Sequence, residues 1–392
     1  MRELTLRPTD YYQLDELLDD DARLVRDTVR RFVDREVIPH IGGWWLRGEF
    51  PRHLPAALGE LGVLGANLPV EYGAAGVNNV TYGLILQELE RGDSGLRSFA
   101  SVQGALVMYP IHAFGSEAQK RHWLPRLARG DAVGCFGLTE PGAGSDPGAM
   151  QTRARRRGGG WELTGTKMWI TNGSLADVAV VWAKDDEGEI RGFLVERGTP
   201  GFVAHEITTK ASMRASDTSE LVLEGVRVDD DARLPEANGL RAPLSCLTQA
   251  RYGIAWGAVG AAAACFEEAL AYAGARTAFG RPIAARQLIQ ARLVDMLTEL
   301  TKGQLLAFRL GQLKDAGRMR YTHVSLAKRN NVRMALEVAR AARTILGAYG
   351  VTLEYHAMRH AANLESVDTY EGTHDIHTLV VGRDLTGLDA FQ

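Results

Sequence analysis

Residues 368–377 read D-T-Y-E-G-T-H-D-I-H. They set one carboxylate, Glu371, between an aromatic ring and a glycine, with Thr373, His374 and His377 just behind. Glu-Gly-Thr ahead of an apolar-periodic run is the pattern of a loop that delivers an acid to a helix entrance. A carboxylate on a tight turn beside Tyr370 is open to partial desolvation, which raises its pKa toward a range useful for abstracting a proton. The same residue also reads as a helix-start acid complementing the macrodipole, and the loop alone does not choose. His374 and His377 stand three apart, as metal ligands often do. No third and fourth ligand accompany them at suitable spacing, so no metal is expected.

Three further segments carry chemistry-bearing residues. Residues 91–101 read R-G-D-S-G-L-R-S-F-A-S. There Arg97, with Ser98 and Ser101, suits a carboxylate, because a guanidinium pairs with one bidentately; the plain alternative is a surface arginine in a loop. Residues 136–147 read F-G-L-T-E-P-G-A-G-S-D-P. Small residues let backbone N–H groups approach a flat or anionic ligand, and Thr139 and Ser145 add hydroxyls; an ordinary turn-rich connection has the same composition. The segment is neither G-x-G-x-x-G after a strand nor G-x-x-x-x-G-K-[ST], so both usual nucleotide fingerprints are absent. Residues 165–173 read G-T-K-M-W-I-T-N-G. Trp169 suits stacking on a ring and Thr171 offers a hydroxyl to a ring nitrogen, although a tryptophan here also reads as core.

The elements that must position these residues fall into three zones. Apolar positions recur at helical spacing over 14–37, where Pro39 stops them, over 80–90 ending at Gly92, and over 118–127 after Ser116. The middle zone changes period. Short β-branched or alternating runs at 179–183, 192–195, 202–207 and 219–228 are separated by Gly, Asp and Pro, which predicts antiparallel sheets packed face to face. After Cys246 the helical period returns over 252–275, 287–315, 322–348, 354–367 and 374–385, the pattern of a bundle. The expected class is α+β: an N-terminal helical domain over 1–133, a middle β domain over 134–245 and a C-terminal helical bundle over 246–392.

Composition bounds the partners. The 392 residues are 45% hydrophobic and 24% charged with a net charge of −3, which supplies no electrostatic case for nucleic acid or an anionic membrane. The R-A-R-R-R run at 153–157 precedes three glycines and reads as a solvated turn. Cys135, Cys246 and Cys265 lie far apart, forming neither a metal-ligand spacing nor a disulfide framework, and a reducing cytoplasm suits them. The longest apolar run, 254–265, is too short to span a bilayer. Residues 10–21 are acidic, unlike a signal or transit peptide.

Taken in order, E-L-E-R-G-D-S-G-L-R-S from Glu88, G-C-F-G-L-T-E-P from Gly134, A-R-Y-G-I-A-W-G from Ala250 and N-L-E-S-V-D-T-Y-E-G-T-H-D-I-H from Asn363 resemble the acyl-CoA dehydrogenase family, in particular its glutaryl-CoA branch. The likeness runs from about Leu14 to Phe391, and its domain order is the α, β, α order above. It implies FAD. Phe136, Leu138, Thr139, Gly144 and Ser145 of the first loop, with Trp169, Ile170 and Thr171, would surround the flavin, and Thr171 would bond its reactive nitrogen. Arg276, Phe279 and Gln287 would meet the FAD of a neighbouring subunit, with Gly347 and Thr373 completing the set. A homotetramer follows, with an electron-transferring flavoprotein as acceptor.

The resemblance also implies α,β-dehydrogenation of an acyl thioester. Glu371 would take the α proton while the β hydride passes to the flavin. The Glu371 N–H and a flavin ribityl hydroxyl would stabilise the enolate. In the glutaryl branch Arg97 and Ser101 would hold the distal carboxylate. Glu90, Tyr370, Gly372 and Ser145 would line the same region, and Arg251 would contact the pantetheine of CoA. Oxidation of glutaryl-CoA would then lead to loss of CO2 and γ-reprotonation to crotonyl-CoA. Alternatives are a relative acting on another dicarboxylic thioester, on CoA or a carrier protein, and a non-catalytic flavoprotein scaffold. The chain departs from the family pattern at Ala348 and Tyr349, at Thr248, and at Leu96, which replaces an aromatic beside Arg97.

Overall fold

The structure, a computed structural model, describes residues 8–391. Residues 1–7 and 392, which the expected ranges include, lie outside the described residues. Helices α1 (Asp20–Phe32), α2 (Ile41–Arg47), α3 (Leu54–Glu60), α4 (Asn79–Gly92), α5 (Ser94–Ser101), α6 (Tyr109–Phe114) and α7 (Glu117–Ala128) come first. Strands β1 (Gly134–Gly137), β2 (Arg153–Arg157), β3 (Gly160–Thr171), β4 (Val178–Lys184), β5 (Ile190–Glu196), β6 (Phe202–Glu206) and β7 (Thr218–Asp229) follow. The chain closes with α8 (Arg241–Ala275), a hairpin of β8 (Thr277–Ala278) and β9 (Arg281–Pro282), then α9 (Gln287–Asp315), α10 (Tyr321–Leu346), α11 (Ala357–Thr369) and α12 (His374–Thr386).

The helix expected over 14–37 is broken into a 3-10 turn, α1 and a π-helical turn at Val33–Val37. Asp19 is the reason for the first break. Its side chain accepts from the Ala22 N–H at 2.7 Å and so starts a new helix. A second π-helical stretch, Val102–Met108, follows α5 directly. Such bulges recur beside functional sites.

The middle strands form one seven-stranded sheet in the order β1-β4-β2-β3-β7-β6, with β5 on β4. Most pairs are antiparallel, as expected, but β1 and β2 both run parallel to β4. Neither is joined to β4 by a hairpin, so no local turn signal announced their direction. The sheet gathers round a core that includes Cys135, Leu163, Val181, Phe193 and Leu221, so the region is one mixed sheet and not two. Strand β4 is buried on both faces, which explains its unbroken apolar run. The arginine run expected as a turn is strand β2, with Ala154 inward and Arg156 stacked 4.3 Å from the Trp161 centroid.

Helix α8 is the axis of the molecule. Every residue from 252 to 266 is buried, because α4 packs on one side and α9 and α10 on others. In length and composition α8 would pass for a membrane span. Its apolar surface is instead covered by protein, as befits a helix that is hydrophobic all round. Residues of the first and last zones therefore share one core, with Leu86, Leu89 and Phe99 beside Tyr252, Val259 and Val332. That shared core brings α5 to the α11–α12 loop.

Candidate active site

Glu371 sits in the short loop between α11 and α12. Thr373 caps α12, its side chain accepting from the Ile376 N–H at 3.2 Å, so Glu371 precedes the helix and the macrodipole reading is set aside. The backbone of Glu371 is left-handed, φ 52°, and Gly372 follows at φ 94°. Only glycine adopts the second without strain, and a Cβ there would also sit 2.9 Å from His377 Nε2. Three carbonyls in succession are held by cations. Lys328 Nζ donates to Tyr370 O at 2.6 Å and Gly372 O at 2.5 Å, and Arg251 Nε donates to Glu371 O at 2.6 Å. Glu371 Oε2 is shut off from solvent and has no hydrogen-bond partner. Burial raises the Glu371 carboxyl above the ordinary carboxylate range, against the opposing pull of Arg97, Arg251 and Lys328.

Arg97 lies on α5, not in a loop, and its side chain is fully buried. Its Nε donates to Glu90 Oε2 at 2.6 Å, with Glu90 equally buried, and its Nη2 donates to the Tyr370 hydroxyl. The surface-arginine reading is overturned. Helix α8 makes room for this pair with a glycine, since a Cβ on Gly257 would stand 1.9 Å from Glu90 Oε2. Arg97 Nη1, Glu90 Oε1 and Ser101 Oγ are all buried without a partner, and Ser98 is buried beside them. Asp93 anchors the start of α5, accepting from Gly95 N at 2.7 Å, and binds Arg359 and Asn363 of α11 at 2.5 and 2.8 Å. Helix α5, which carries Arg97, and α11, which leads into the Glu371 loop, are thus tied by one buried carboxylate.

The residues expected around a flavin form a second group, on and beside β1 and β3. Phe136 is in β1, and the chain after it is stitched to β3 by the Met168 N–H donating to Thr139 O at 2.8 Å. Buried Lys167 donates to Leu138 O at 3.1 Å and to Glu140 at 2.8 Å, and Glu140 also accepts from both Gln151 and Thr152 N–H groups. A bulge in β3 between Lys167 and Ile170 turns Trp169 outward, with φ 63° and 61% exposure. The core reading of Trp169 is therefore wrong. Ile170 and Thr171 lie next to it on β3. Gly144 and Ser145 are exposed, and a Cβ on Gly142 or Gly144 would meet nothing within 4 Å. A protruding indole beside an open glycine-rich loop and a hydroxyl strand fits a planar ring system with an extended tail.

Arg276, Phe279, Gln287 and Gly347 do not join this group within one chain. Arg276 caps the far end of α8, about 37 Å along the axis from Arg251 at 1.5 Å per residue. Phe279 is 95% exposed on the β8–β9 hairpin, and Gln287 opens α9 close by. Gly347 stands at the same end, where Tyr349 meets Tyr272 of α8 at 6.5 Å between centroids. Thr248 donates to Leu244 O within α8, and Leu96 is buried. Two buried charged residues that brace these loops escaped the sequence reading, Lys328 and Glu140. Lys328 could have been found as the one lysine on the buried stripe of α10, between Val324, Ala327, Asn331 and Val332. His374 lies 3.6 Å from Asp368, and His377 is buried under Gly372 with its pKa lowered to about 2 by burial.

Comparison with known proteins agrees with this geometry. Family models for the acyl-CoA dehydrogenase N-terminal, middle and C-terminal domains match residues 19–131, 135–226 and 237–386. Bovine (Bos taurus) mitochondrial short-chain specific acyl-CoA dehydrogenase is 36% identical over 373 residues, 94% of this chain and 90% of that one. A glutaryl-CoA dehydrogenase from Mycobacterium smegmatis, solved in complex with FADH2, is 56% identical with a TM-score of 0.97, covering 99% of this chain and 100% of that one. A second structure of glutaryl-CoA dehydrogenase from the same organism is 59% identical with a TM-score of 0.96, covering 98% and 99%. The chain belongs to the acyl-CoA dehydrogenase family.

Proposed function

We propose that this FAD-dependent acyl-CoA dehydrogenase oxidises glutaryl-CoA and releases CO2 to leave crotonyl-CoA. One observation supports the dicarboxylic substrate above others: a fully buried Arg97 whose Nη1 is left without a partner. Glu90 takes one edge of the guanidinium through Nε, which leaves Arg97 Nη1 as the buried donor that a distal carboxylate would meet. The pocket of a monocarboxylic chain needs no buried cation at its end, which weighs against the short-chain activity named for the bovine relative. The two glutaryl-CoA dehydrogenases at 56% and 59% identity support the same substrate.

Bound FAD supplies the two-electron acceptor for the β hydride. Glu371 accepts the α proton, its unpartnered Oε2 being the free site. Its raised pKa suits that task, since a stronger base competes better for a weakly acidic C–H. Arg97 and Ser101 fix the far end of the chain, so the α carbon is presented to the carboxylate in one geometry. The carboxyl formed on Glu371 is then placed to return a proton to the γ carbon once CO2 has left. Arg276, Phe279, Gln287 and Gly347 would complete the FAD site of another copy, in keeping with a homotetramer, and an electron-transferring flavoprotein would reoxidise the flavin. Anaerobic titration tests the substrate: the flavin absorbance should bleach with glutaryl-CoA and hardly change with butyryl-CoA. Equal bleaching by both would reject the dicarboxylic reading.

A further inference from the structure

We propose that Lys328 is a positioning residue for the reaction: its ammonium clamps the two carbonyls that straddle Glu371 and so holds the left-handed backbone from which the carboxylate is aimed. This rests on Glu371 being the base. Lys328 is 1% exposed on α10 and donates to Tyr370 O at 2.6 Å and Gly372 O at 2.5 Å. Its nitrogen also lies 5.9 Å from the Tyr370 ring centroid. A non-glycine residue in the left-handed region is unfavourable, so the loop needs an external restraint. Two bonds from one rigid helix, one on each side of Glu371, fix the direction of its Cα–Cβ bond.

Plain stability does not account for a lysine here. A buried ammonium is costly and an apolar residue of similar volume often serves a core better. Among the described residues the direct partners of Lys328 Nζ are two carbonyls and the Tyr370 ring, while the Glu371 and Asp368 carboxylates act on it through space. Tyr370 O belongs to the end of α11, where any cation suits the dipole, but Gly372 O lies beyond that helix and is not reached by such an argument. The groups facing the ammonium are Arg97 of α5, Arg251 of α8, Asp368 of α11, Glu371 of the loop and His377 of α12. Burial lowers its pKa to about 7, opposed chiefly by Glu371.

The test uses flavin-loaded K328M and K328Q beside the unmodified enzyme. Proton abstraction is read apart from oxidation as deuterium uptake, in D2O, at the α carbon of a 3-thiaacyl-CoA, whose β sulfur cannot release hydride. K328M should slow exchange and kcat by about ten- to a hundred-fold, the scale of charge-assisted bonds, with KM and flavin content within about threefold of the parent. K328Q, which can reach one carbonyl at most, should fall between. Loss of the positive charge should also shift the acid limb of the exchange rate to higher pH, a change that a purely structural lysine would not produce. Exchange at the parental rate in flavin-replete K328M overturns the proposal. So does failure of both variants to load flavin, which would make Lys328 a folding residue. Glu371→Gln is the control. Parental exchange in that variant would reject Glu371 as the base, whereas abolished exchange there with normal K328M rejects only the role of Lys328.

Discussion

Arg97→Met is the obvious probe of the substrate carboxylate, and the structure shows why it is a poor one alone. Glu90 lies 2.6 Å from Arg97 Nε and neither side chain is exposed. Removing the cation would strand a buried carboxylate, at a cost of about 3–5 kcal/mol in stability. That loss would lower turnover of every substrate and hide the specific effect. Pairing the change with Glu90→Gln removes one charge of each sign, so the balance around Glu371 is unchanged and most of the stability should return. What remains missing is the guanidinium contact with the distal carboxylate. A charge-assisted hydrogen bond contributes about 1.5–3 kcal/mol, and 1.4 kcal/mol is roughly tenfold. The double variant should therefore lose about ten- to a hundred-fold in kcat/KM on glutaryl-CoA. On butyryl- or pentanoyl-CoA it should stay within about threefold of the parent. Thermal melting separates the two contributions: the single variant should melt well below the parent and the double variant close to it. Equal losses on all three substrates in a well-folded double variant would refute the carboxylate anchor.

Glu371→Gln should bind FAD normally yet reduce it several orders of magnitude more slowly in stopped-flow, because the amide cannot accept the proton. Since burial raises the Glu371 pKa and only the ionised form is a base, kcat/KM should fall as pH drops through a value above the ordinary 4.5; an acid limb below it would contradict the burial argument. Gly257→Ala places a Cβ 1.9 Å from Glu90 Oε2 and should weaken glutaryl-CoA turnover more than butyryl-CoA turnover, measured on the same preparation. Glu140→Gln leaves Lys167 buried without its carboxylate, and a loss of about 3–5 kcal/mol together with weakened FAD retention on gel filtration is expected. The Glu140 carboxyl is held at about 2 by hydrogen bonds and Lys167 against the penalty of burial. Its contribution is therefore present above the unfolded carboxylate range of about 4.3 and lost as pH falls toward 2, which acid-melting of the parent against Glu140→Gln should show.

The primary structure alone determined the order of helical, β and helical zones, because the hydrophobic period changes from 3.6 to 2 and back over long segments. It also determined which short blocks carry chemistry, since Glu371, Arg97 and the 136–145 loop stand in compositions unlike their surroundings. Tertiary structure decided what those residues are. Arg97 reads as a loop arginine until α4 and α8 close over it, and only then does Glu90 become its counter-ion. Trp169 reads as core because a tryptophan in a β domain usually packs inward, whereas a bulge in β3, invisible to alternation, turns it outward. The parallel pairing of β1 and β2 with β4 depends on contacts between strands distant in sequence. Lys328 is the clearest case. On α10 it is one polar residue in a buried stripe, and its meaning lies in two carbonyls more than forty residues away. Local sequence reports period and composition, while the partner of a buried charge is set by which helices meet, and that meeting is a property of the folded chain.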